Sequence, residues 1–179
     1  VPDGKYVIYN PDSGKAMSAD ATGTYYRAGK DVTVENGKVA DPAEDLIWNV
    51  SSENGVYTIT TADGSKLSMN GEKNSLPLDA ANTTWKVEKA TTEGCYYIVN
   101  ANRPTYYVEW FAKYTEFSTY TYNASSEGIY AMQFIPAETP DTGLPKNGDT
   151  VVLYNQSAKG VLAAQDANES PSILGVSAE

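Results

Sequence analysis

A short motif recurs three times along the chain and constrains the fold more than any other feature. The segments GKYVIYN (4–10), GVYTITT (55–61) and GCYYIVN (94–100) share the pattern Gly-x-Tyr-x-Ile-x-Asn/Thr. Tyrosine and isoleucine stand two residues apart, which puts both side chains on one face of a strand. The repeat therefore predicts three equivalent strands, each with one apolar face.

Each copy of the motif opens a unit, and the three units close alike. We expect an aromatic residue near the end of each unit to occupy an equivalent core position, and these residues are Trp48, Trp85 and Phe134. Further strand-like pairs lie between the opening and the close, and we expect them to be equivalent too: Val32/Val34, Leu76/Leu78 and Tyr120/Tyr122. Each unit is therefore predicted to contain four short strands, and no long helical periodicity is present.

Three such units predict a threefold pseudosymmetric all-β assembly, because none of them can bury its apolar face alone. On the Tyr-x-Ile-x-Asn motif, the glycine turn and the closing aromatic residue, residues 4–138 resemble the β-trefoil family. The resemblance implies a six-stranded barrel capped by three hairpins, with its strand edges closed. We assign residues 1–138 to this β-trefoil-like module. A β-sandwich is the alternative, since periodicity reports strands and not their pairing.

The rest of the sequence predicts a linker and the start of another module. Residues 139–148, TPDTGLPKNG, are rich in proline and glycine, as linkers are. Beyond them, GDTVVLYNQSAKGVLAAQ repeats the opening of the first unit, with Tyr154-Asn155 in the place of Tyr9-Asn10 and a one-residue slip before Val161. We expect residues 149–179 to be the truncated first part of a second, similar module.

Composition and missing residue types exclude several classes of function. The chain has 13 Lys and Arg against 23 Asp and Glu, and a net charge of −10 argues against nucleic-acid binding. It has no histidine, which excludes Ser-His-Asp triads, Cys–His dyads and His-ligated zinc. The single Cys95 is expected to be a buried thiol. No phosphate-binding glycine loop, calcium loop or apolar run of membrane-spanning length occurs, so we predict no cofactor, no metal and no membrane insertion.

Carboxylates are the remaining source of catalytic chemistry. The segment DPAED places Asp41, Glu44 and Asp45 in a predicted turn, where acidic side chains usually face water. A calcium site and an acid/base pair are the alternatives for this turn. A hydrolase that uses only Asp and Glu is chemically possible, but no pair is fixed by spacing here. We therefore predict that the chain is not an enzyme and assign no catalytic residues.

The third unit departs from the other two just after its opening strand. ANRPTYYVEWFAKY (101–114) replaces the glycine turn and adds aromatic residues that have no counterpart in the first two units. Strand alternation would place Trp110 and Tyr114 on one face and Glu109 and Phe111 on the other. Both faces carry aromatic side chains, so we expect one of the faces not to be core.

This stretch is the candidate ligand site. Aromatic rings stack on the apolar face of a sugar, while carboxylates and amides accept hydrogen bonds from its hydroxyls. Five residues supply such groups, and they are the candidate ligand-binding residues: Tyr107, Glu109, Trp110, Tyr114 and Asn123. Packing in the core or hairpin cap and a protein interface are the alternatives for the same stretch.

The chain is similar to tandem modules in the non-catalytic C-terminal regions of large secreted or surface hydrolases of Gram-positive, clostridia-like gut bacteria. The similarity implies an extracellular or cell-surface accessory module that binds glycan or a surface polymer beside the catalytic domain of the same parent chain. A structural spacer or protein-interaction module is the alternative. The Gln-x-Trp signature of ricin-like lectins is broken, because Leu46, Thr83 and Met132 stand two residues before the closing aromatic residues. No sugar-binding residue is carried over from those lectins.

Overall fold

Short strands joined by turns make up the chain in the computed structural model, which describes residues 1–71 and 74–137, together with the backbone of 154–155, 160–162 and 176–178. The chain divides into an N-terminal part, Val1–Pro140, and a C-terminal part, Asp141–Glu179, and all three repeat units belong to the N-terminal part. The strands of the N-terminal part are β1 (Gly4–Asn10), β2 (Lys15–Thr22), β3 (Tyr26–Asp31), β4 (Val34–Glu35), β5 (Lys38–Val39), β6 (Ile47–Glu53), β7 (Val56–Thr60), β8 (Trp85–Lys89), β9 (Tyr96–Asn100), β10 (Tyr106–Phe111), β11 (Glu116–Thr121) and β12 (Gln133–Pro136). Its 3₁₀ turns are Glu44–Leu46, Ala112–Tyr114 and Ala124–Ile129.

Six of these strands close into a barrel. β1 pairs with β12 on one side and β6 on the other, and the pairing continues through β7, β8 and β9. A bridge between Tyr96 and Met132 then joins β9 to the segment that enters β12. All of these pairings are antiparallel, and they lead from β1 through five other strands back to β1. The predicted six-stranded barrel is therefore confirmed, and the sandwich alternative is wrong.

Three hairpins cap one end of the barrel. Two of them are the pairs β2–β3 and β10–β11, and the third is reduced to bridges between Leu67 and Leu78 and between Met69 and Asn82. The hairpins also contact one another, since β3 pairs with β11 and the Leu76 amide donates to the Tyr25 carbonyl at 2.6 Å. The middle of the second unit is therefore less regular than the four strands predicted for it.

The repeated motif supplies the core. Ile8, Ile59 and Ile98 are fully buried in the barrel, as the two-residue spacing predicted. Of the opening tyrosines, Tyr6 is buried in the same cluster and half-buried Tyr57 packs against that cluster, whereas half-buried Tyr96 lies edge-on to Phe134 with 5.9 Å between ring centroids. Cys95 is buried as expected, and burial raises the pKa of its thiol.

Strand register corrects one predicted equivalence. Tyr6 pairs with Trp48 and Tyr57 with Trp85, but Tyr96 pairs with Met132, so Met132 and not Phe134 is the third member of the set. Residues 132 and 134 share a strand face, and hydrophobic character alone could not choose between them. The two indoles each donate to a hairpin carbonyl, at 2.8 Å to Met17 and 3.0 Å to Leu67. A methionine at the third position makes no such bond.

The predicted middle pairs are corrected in the same way. Met17, Leu67 and Val108 occupy equivalent positions on the first strand of the three hairpins. Their cross-strand partners are Gly29, Leu78 and Thr119, which are therefore the equivalent residues on the second strand. Only Leu78 belongs to a predicted pair; Val32 and Val34 pack in or against a separate small cluster, and Tyr120 and Tyr122 are exposed. Residue type misled the alignment, because a glycine, a leucine and a threonine occupy one structural position.

The C-terminal part, Asp141–Glu179, is described by its backbone alone. β13 (Tyr154–Asn155) pairs with β14 (Gly160–Leu162), which pairs with β15 (Val176–Ala178). Tyr154 pairs with Val161 as Tyr9 pairs with Ala16, so the expected one-residue slip is wrong. The predicted linker at 139–148 lies outside the described residues, and a second module over 149–179 stays a prediction.

Candidate functional site

The hairpin of β10 and β11 has one core face and one outer face. Val108 and Trp110 point into the core; Trp110 is 7% exposed, and its indole lies 5.2 Å from the Phe117 ring, centroid to centroid. Tyr107, Glu109 and Phe111 alternate with them and lie on the outer face. The candidate ligand residue Trp110 therefore lies on the opposite side of the hairpin from Glu109, and its side chain fills the space under the hairpin cap, which is the core-packing alternative for this stretch.

A pocket of about 430 Å³ opens on the outer face of this hairpin. We call it the third-repeat pocket. Its lining residues are Tyr26, Asn74, Glu109, Phe111, Tyr114, Glu116, Ser118, Tyr120, Asn123, Ser126, Ile129 and Tyr130. Three of the five predicted ligand-binding residues, Glu109, Tyr114 and Asn123, thus line one pocket, which brings together residues that are up to fourteen positions apart in sequence.

Tyr114 reaches the pocket because the strand ends before it. β10 stops at Phe111, and the 3₁₀ turn Ala112–Tyr114 is followed by Thr115 in the left-handed region with φ of 56°. The turn interrupts strand alternation, so Tyr114 leaves the face of Trp110 and stacks edge-on against Phe111 at 5.5 Å. Tyr114 is 57% exposed, which makes it the most open ring at the site.

Two buried carboxylates form the polar part of the third-repeat pocket. Glu109 is 6% exposed and accepts a hydrogen bond from the Ser118 hydroxyl at 2.9 Å, while Glu116 is 3% exposed. Burial raises the pKa of Glu109, and the bond from Ser118 lowers it by less; burial alone raises the pKa of Glu116. The two carboxylates lie on the same side of paired strands, since Glu109 pairs with Ser118 and Phe111 with Glu116.

Glu116 and most of the aromatic lining were missed at the sequence level. A signal was present: Glu116, Ser118 and Tyr120 alternate with the core residues Phe117 and Thr119. Tyr26 and Asn74 come from the first and second units and are placed by contacts between hairpins, which sequence periodicity does not report. β3 brings Tyr26 to the site because it pairs with β11.

Only the third unit has a carboxylate at this point of its hairpin. Residues that follow the equivalent core positions Met17, Leu67 and Val108 are Ser18, Ser68 and Glu109. Both serines are fully buried and bonded, Ser18 to Asp45 at 2.5 Å and Ser68 to the Pro77 carbonyl at 2.8 Å. The pocket is therefore a departure from threefold symmetry.

A tyrosine cluster adjoins the third-repeat pocket and includes Tyr107, the remaining candidate residue. It consists of Tyr97, Tyr107, Tyr122 and Tyr130. Tyr107 lies in this cluster, with ring centroids 5.7 Å from Tyr97 and 6.2 Å from the pocket residue Tyr130. The hydrogen bond with Tyr97 and burial raise the pKa of Tyr122 to about 12. Tyr107 is thus beside the pocket rather than part of its lining.

The acidic turn forms part of a different pocket. Asp41 and Glu44 are exposed as predicted, but Asp45 is half-buried and pairs with Lys30 at 2.8 Å. Burial raises the pKa of Asp45, but hydrogen bonds from Lys30 and Ser18 outweigh it and lower the pKa overall. This pocket, of about 540 Å³, has no aromatic lining residue among those described. No group of three or more Cys, Asp or Glu side chains in the described residues is arranged to hold a metal ion.

Solved structures share this architecture. A GlcNAcα1-4Gal releasing endo-β-galactosidase from Clostridium perfringens matches with a TM-score of 0.61 and 14% identity, over 75% of this chain and 32% of that one. The Rhizoctonia solani agglutinin matches with a TM-score of 0.60 and 14% identity, over 76% of this chain and 97% of that one. A Macrolepiota procera ricin B-like lectin, solved in complex with lactose, matches with a TM-score of 0.61 and 12% identity, over 76% of this chain and 98% of that one.

These likenesses and the closed barrel establish that the chain has the β-trefoil fold. The chain spans about a third of the length of the Clostridium enzyme that it matches, 32%. No family model matches the chain, and a comparison with curated proteins finds no match. Among the described residues, no helix is long and apolar enough to cross a membrane.

Proposed function

We propose that this chain is a non-catalytic module that binds glycan through the third-repeat pocket. The observation that carries the proposal is the meeting of exposed rings and buried carboxylates in one cavity. Phe111 and Tyr114 present edge-packed rings at the rim, and Glu109, Glu116 and Asn123 offer acceptors behind them. A sugar needs both kinds of group, an aromatic face for its C–H surface and acceptors for its hydroxyls.

The structural neighbours support the same class of ligand. The Macrolepiota lectin was solved with lactose, and the Clostridium enzyme is a GlcNAcα1-4Gal releasing endo-β-galactosidase. We infer further that the module is extracellular or at the cell surface of a bacterium, and that it serves a catalytic domain of the same parent chain. That enzyme match supports the inference, since only 32% of its chain corresponds to the β-trefoil fold.

The two glutamates are proposed as ligand contacts and not as an acid/base pair. Ser118 already donates to Glu109, which fixes the carboxylate on the pocket wall. Prolonged incubation of the chain with any glycan that it binds is therefore expected to leave the glycan intact. Hydrolysis products detected by mass spectrometry would contradict the non-catalytic part of the proposal.

A glycan array followed by affinity gel electrophoresis tests the binding itself. We expect the 179-residue chain to be retained by at least one polysaccharide or mucin, with dissociation constants in the millimolar to micromolar range that one stacking site gives. Tyr114→Ala should weaken retention about tenfold, since loss of one stacked ring is worth roughly 1 to 1.5 kcal/mol.

The matched control is Tyr25→Ala. Tyr25 is 48% exposed, similar to Tyr114, and does not line the third-repeat pocket. Its variant should bind like the parent chain. Equal binding by both tyrosine variants, or no retention on any glycan, would reject the pocket and favour the alternative, a spacer or protein-interaction module.

A further inference from the structure

The third-repeat pocket has two carboxyl groups that no described cation balances. In residues 1–71 and 74–137, the Glu116 carboxylate makes no ion pair and no side-chain hydrogen bond, although its residue is only 3% exposed. Glu109 has the Ser118 hydroxyl as a partner, which is neutral. In the described residues, no side-chain oxygen that is closed off from solvent lacks a hydrogen-bond partner, so the unpartnered Glu116 oxygens face the open pocket. A cation stabilises a carboxylate in such a partly desolvated site, because desolvation penalises the charged form.

Nearby cations of the described chain are engaged elsewhere. The guanidinium of Arg27 donates to the carbonyls of Leu76 at 3.0 Å and Ala19 at 2.5 Å. The ammonium of Lys113 lies 5.0 Å from the centre of the Tyr114 ring, and Lys113 is not a lining residue of the pocket. No described Lys or Arg side chain lines the pocket.

The aromatic walls favour a positively charged ligand as well. Five aromatic rings line the cavity together with the two carboxylates: Tyr26, Phe111, Tyr114, Tyr120 and Tyr130. The face of an aromatic ring attracts an ammonium group, and the contact of Lys113 with Tyr114 is an example on this protein. The hydroxyls of a neutral sugar could donate hydrogen bonds to both carboxylates but would supply no positive charge, whereas an ammonium group on the sugar would compensate them.

We propose that the third-repeat pocket binds a sugar with a free, protonated amino group, whose ammonium pairs with Glu109 and Glu116 while its ring stacks on Tyr114. This inference rests on the proposed glycan-binding function and specifies its ligand class. A volume of about 430 Å³ lies within the range of small-molecule sites and exceeds what a simple ammonium ion fills.

Isothermal titration of the full chain with two oligosaccharides tests the ligand class. One is an oligomer of glucosamine with free amines, and the other is the N-acetylated oligomer of the same length, which has no charge. We expect the glucosamine oligomer to bind at least tenfold more tightly at neutral pH. Choline serves as a third probe, which supplies an ammonium without a sugar, and it should bind more weakly than the glucosamine oligomer.

Charge-neutral variants of equal shape identify the groups responsible. Glu116→Gln and Glu109→Gln should each reduce the affinity for the glucosamine oligomer about tenfold, and should reduce it by more than they reduce the affinity for the N-acetylated oligomer. Glu53→Gln is the matched control, because Glu53 is exposed in β6 and outside the pocket. It removes the same charge from a chain whose net charge is −10.

Any other result of these binding experiments would reject a specific part of the proposal. Equal binding of the two oligomers would overturn the amino-sugar inference and leave glycan binding intact, whereas no binding of any glycan would reject the proposed function itself. Choline binding as tight as that of the glucosamine oligomer would mean that the pocket recognises ammonium alone. A loss in Glu53→Gln equal to that in Glu116→Gln would mean unspecific attraction of a cation to an acidic protein, and the inference would fail.

Discussion

The indole of Trp110 lies directly against the backbone of Gly29. A Cβ atom added at position 29 would stand 2.8 Å from Cη2 of the indole, closer still to Cζ3, and 3.3 Å from the Thr115 carbonyl oxygen. Gly29 is therefore required by close approach and not by an unusual backbone angle. This contact joins the hairpin of the first unit to that of the third, beneath the third-repeat pocket.

We predict that Gly29→Ala destabilises the module by about 2 to 3 kcal/mol, since overpacking at this contact displaces a ring that packs on Phe117. Thermal unfolding followed by circular dichroism measures the loss. Gly29→Ala combined with Trp110→Leu should lose less than the sum of the two single changes, because the smaller side chain relieves the clash. A stable Gly29→Ala variant would show that the indole is not held at this position.

A second prediction concerns the buried indole of Trp48. Trp48→Phe removes the hydrogen bond from Nε1 to the Met17 carbonyl, 2.8 Å long, together with part of the ring. The free energy of unfolding in urea should fall by about 2 to 3 kcal/mol. Met132→Leu is the control at the equivalent position of the third unit, where no such bond exists, and should cost less than about 1.5 kcal/mol. Equal losses in both variants would mean that the bond contributes nothing.

The third prediction concerns stability against pH. Burial raises the folded-state pKa of Glu116 above its unfolded value, so the folded state favours the protonated carboxyl. The contribution of that carboxyl to stability is fully present below the unfolded pKa and is lost as pH rises through the folded pKa. Glutamine resembles the protonated form at every pH. Glu116→Gln should therefore match the parent below the ordinary glutamate pKa of about 4.3 and exceed its stability at pH 7.

Denaturant midpoints of parent and variant at matched pH measure this difference. Glu53→Gln, at an exposed position, should stay within about 0.5 kcal/mol of the parent at both pH values. A Glu116→Gln variant that is less stable than the parent at pH 7 would mean that the charged carboxylate has a compensating partner. If the variant gains stability and loses affinity for the glucosamine oligomer, Glu116 is a residue whose charge is retained for binding at the expense of stability.

Two of the five candidate residues show why the site was only partly predictable. Glu109 is a candidate because its stretch of the third unit has no counterpart in the repeat, and strand register then shows that Ser18 and Ser68 occupy its position in the other units. Trp110 is its neighbour and an equally conspicuous departure, yet strand alternation turns it into the core. Sequence spacing gives the alternation but not which of the two faces meets the barrel, so both residues were candidates.

The sequence by itself determined that three units of short strands recur and that the isoleucines of their Tyr-x-Ile motifs are buried in the barrel. Periodicity and turn residues are local properties, and they survive any choice of strand partner. Tertiary structure decided the rest: that Met132 replaces a tryptophan, that Gly29 receives an indole, and that Tyr26 joins Glu116 in one pocket. These relationships arise from pairing between units, which depends on register across the barrel and on the shape of side chains distant in sequence.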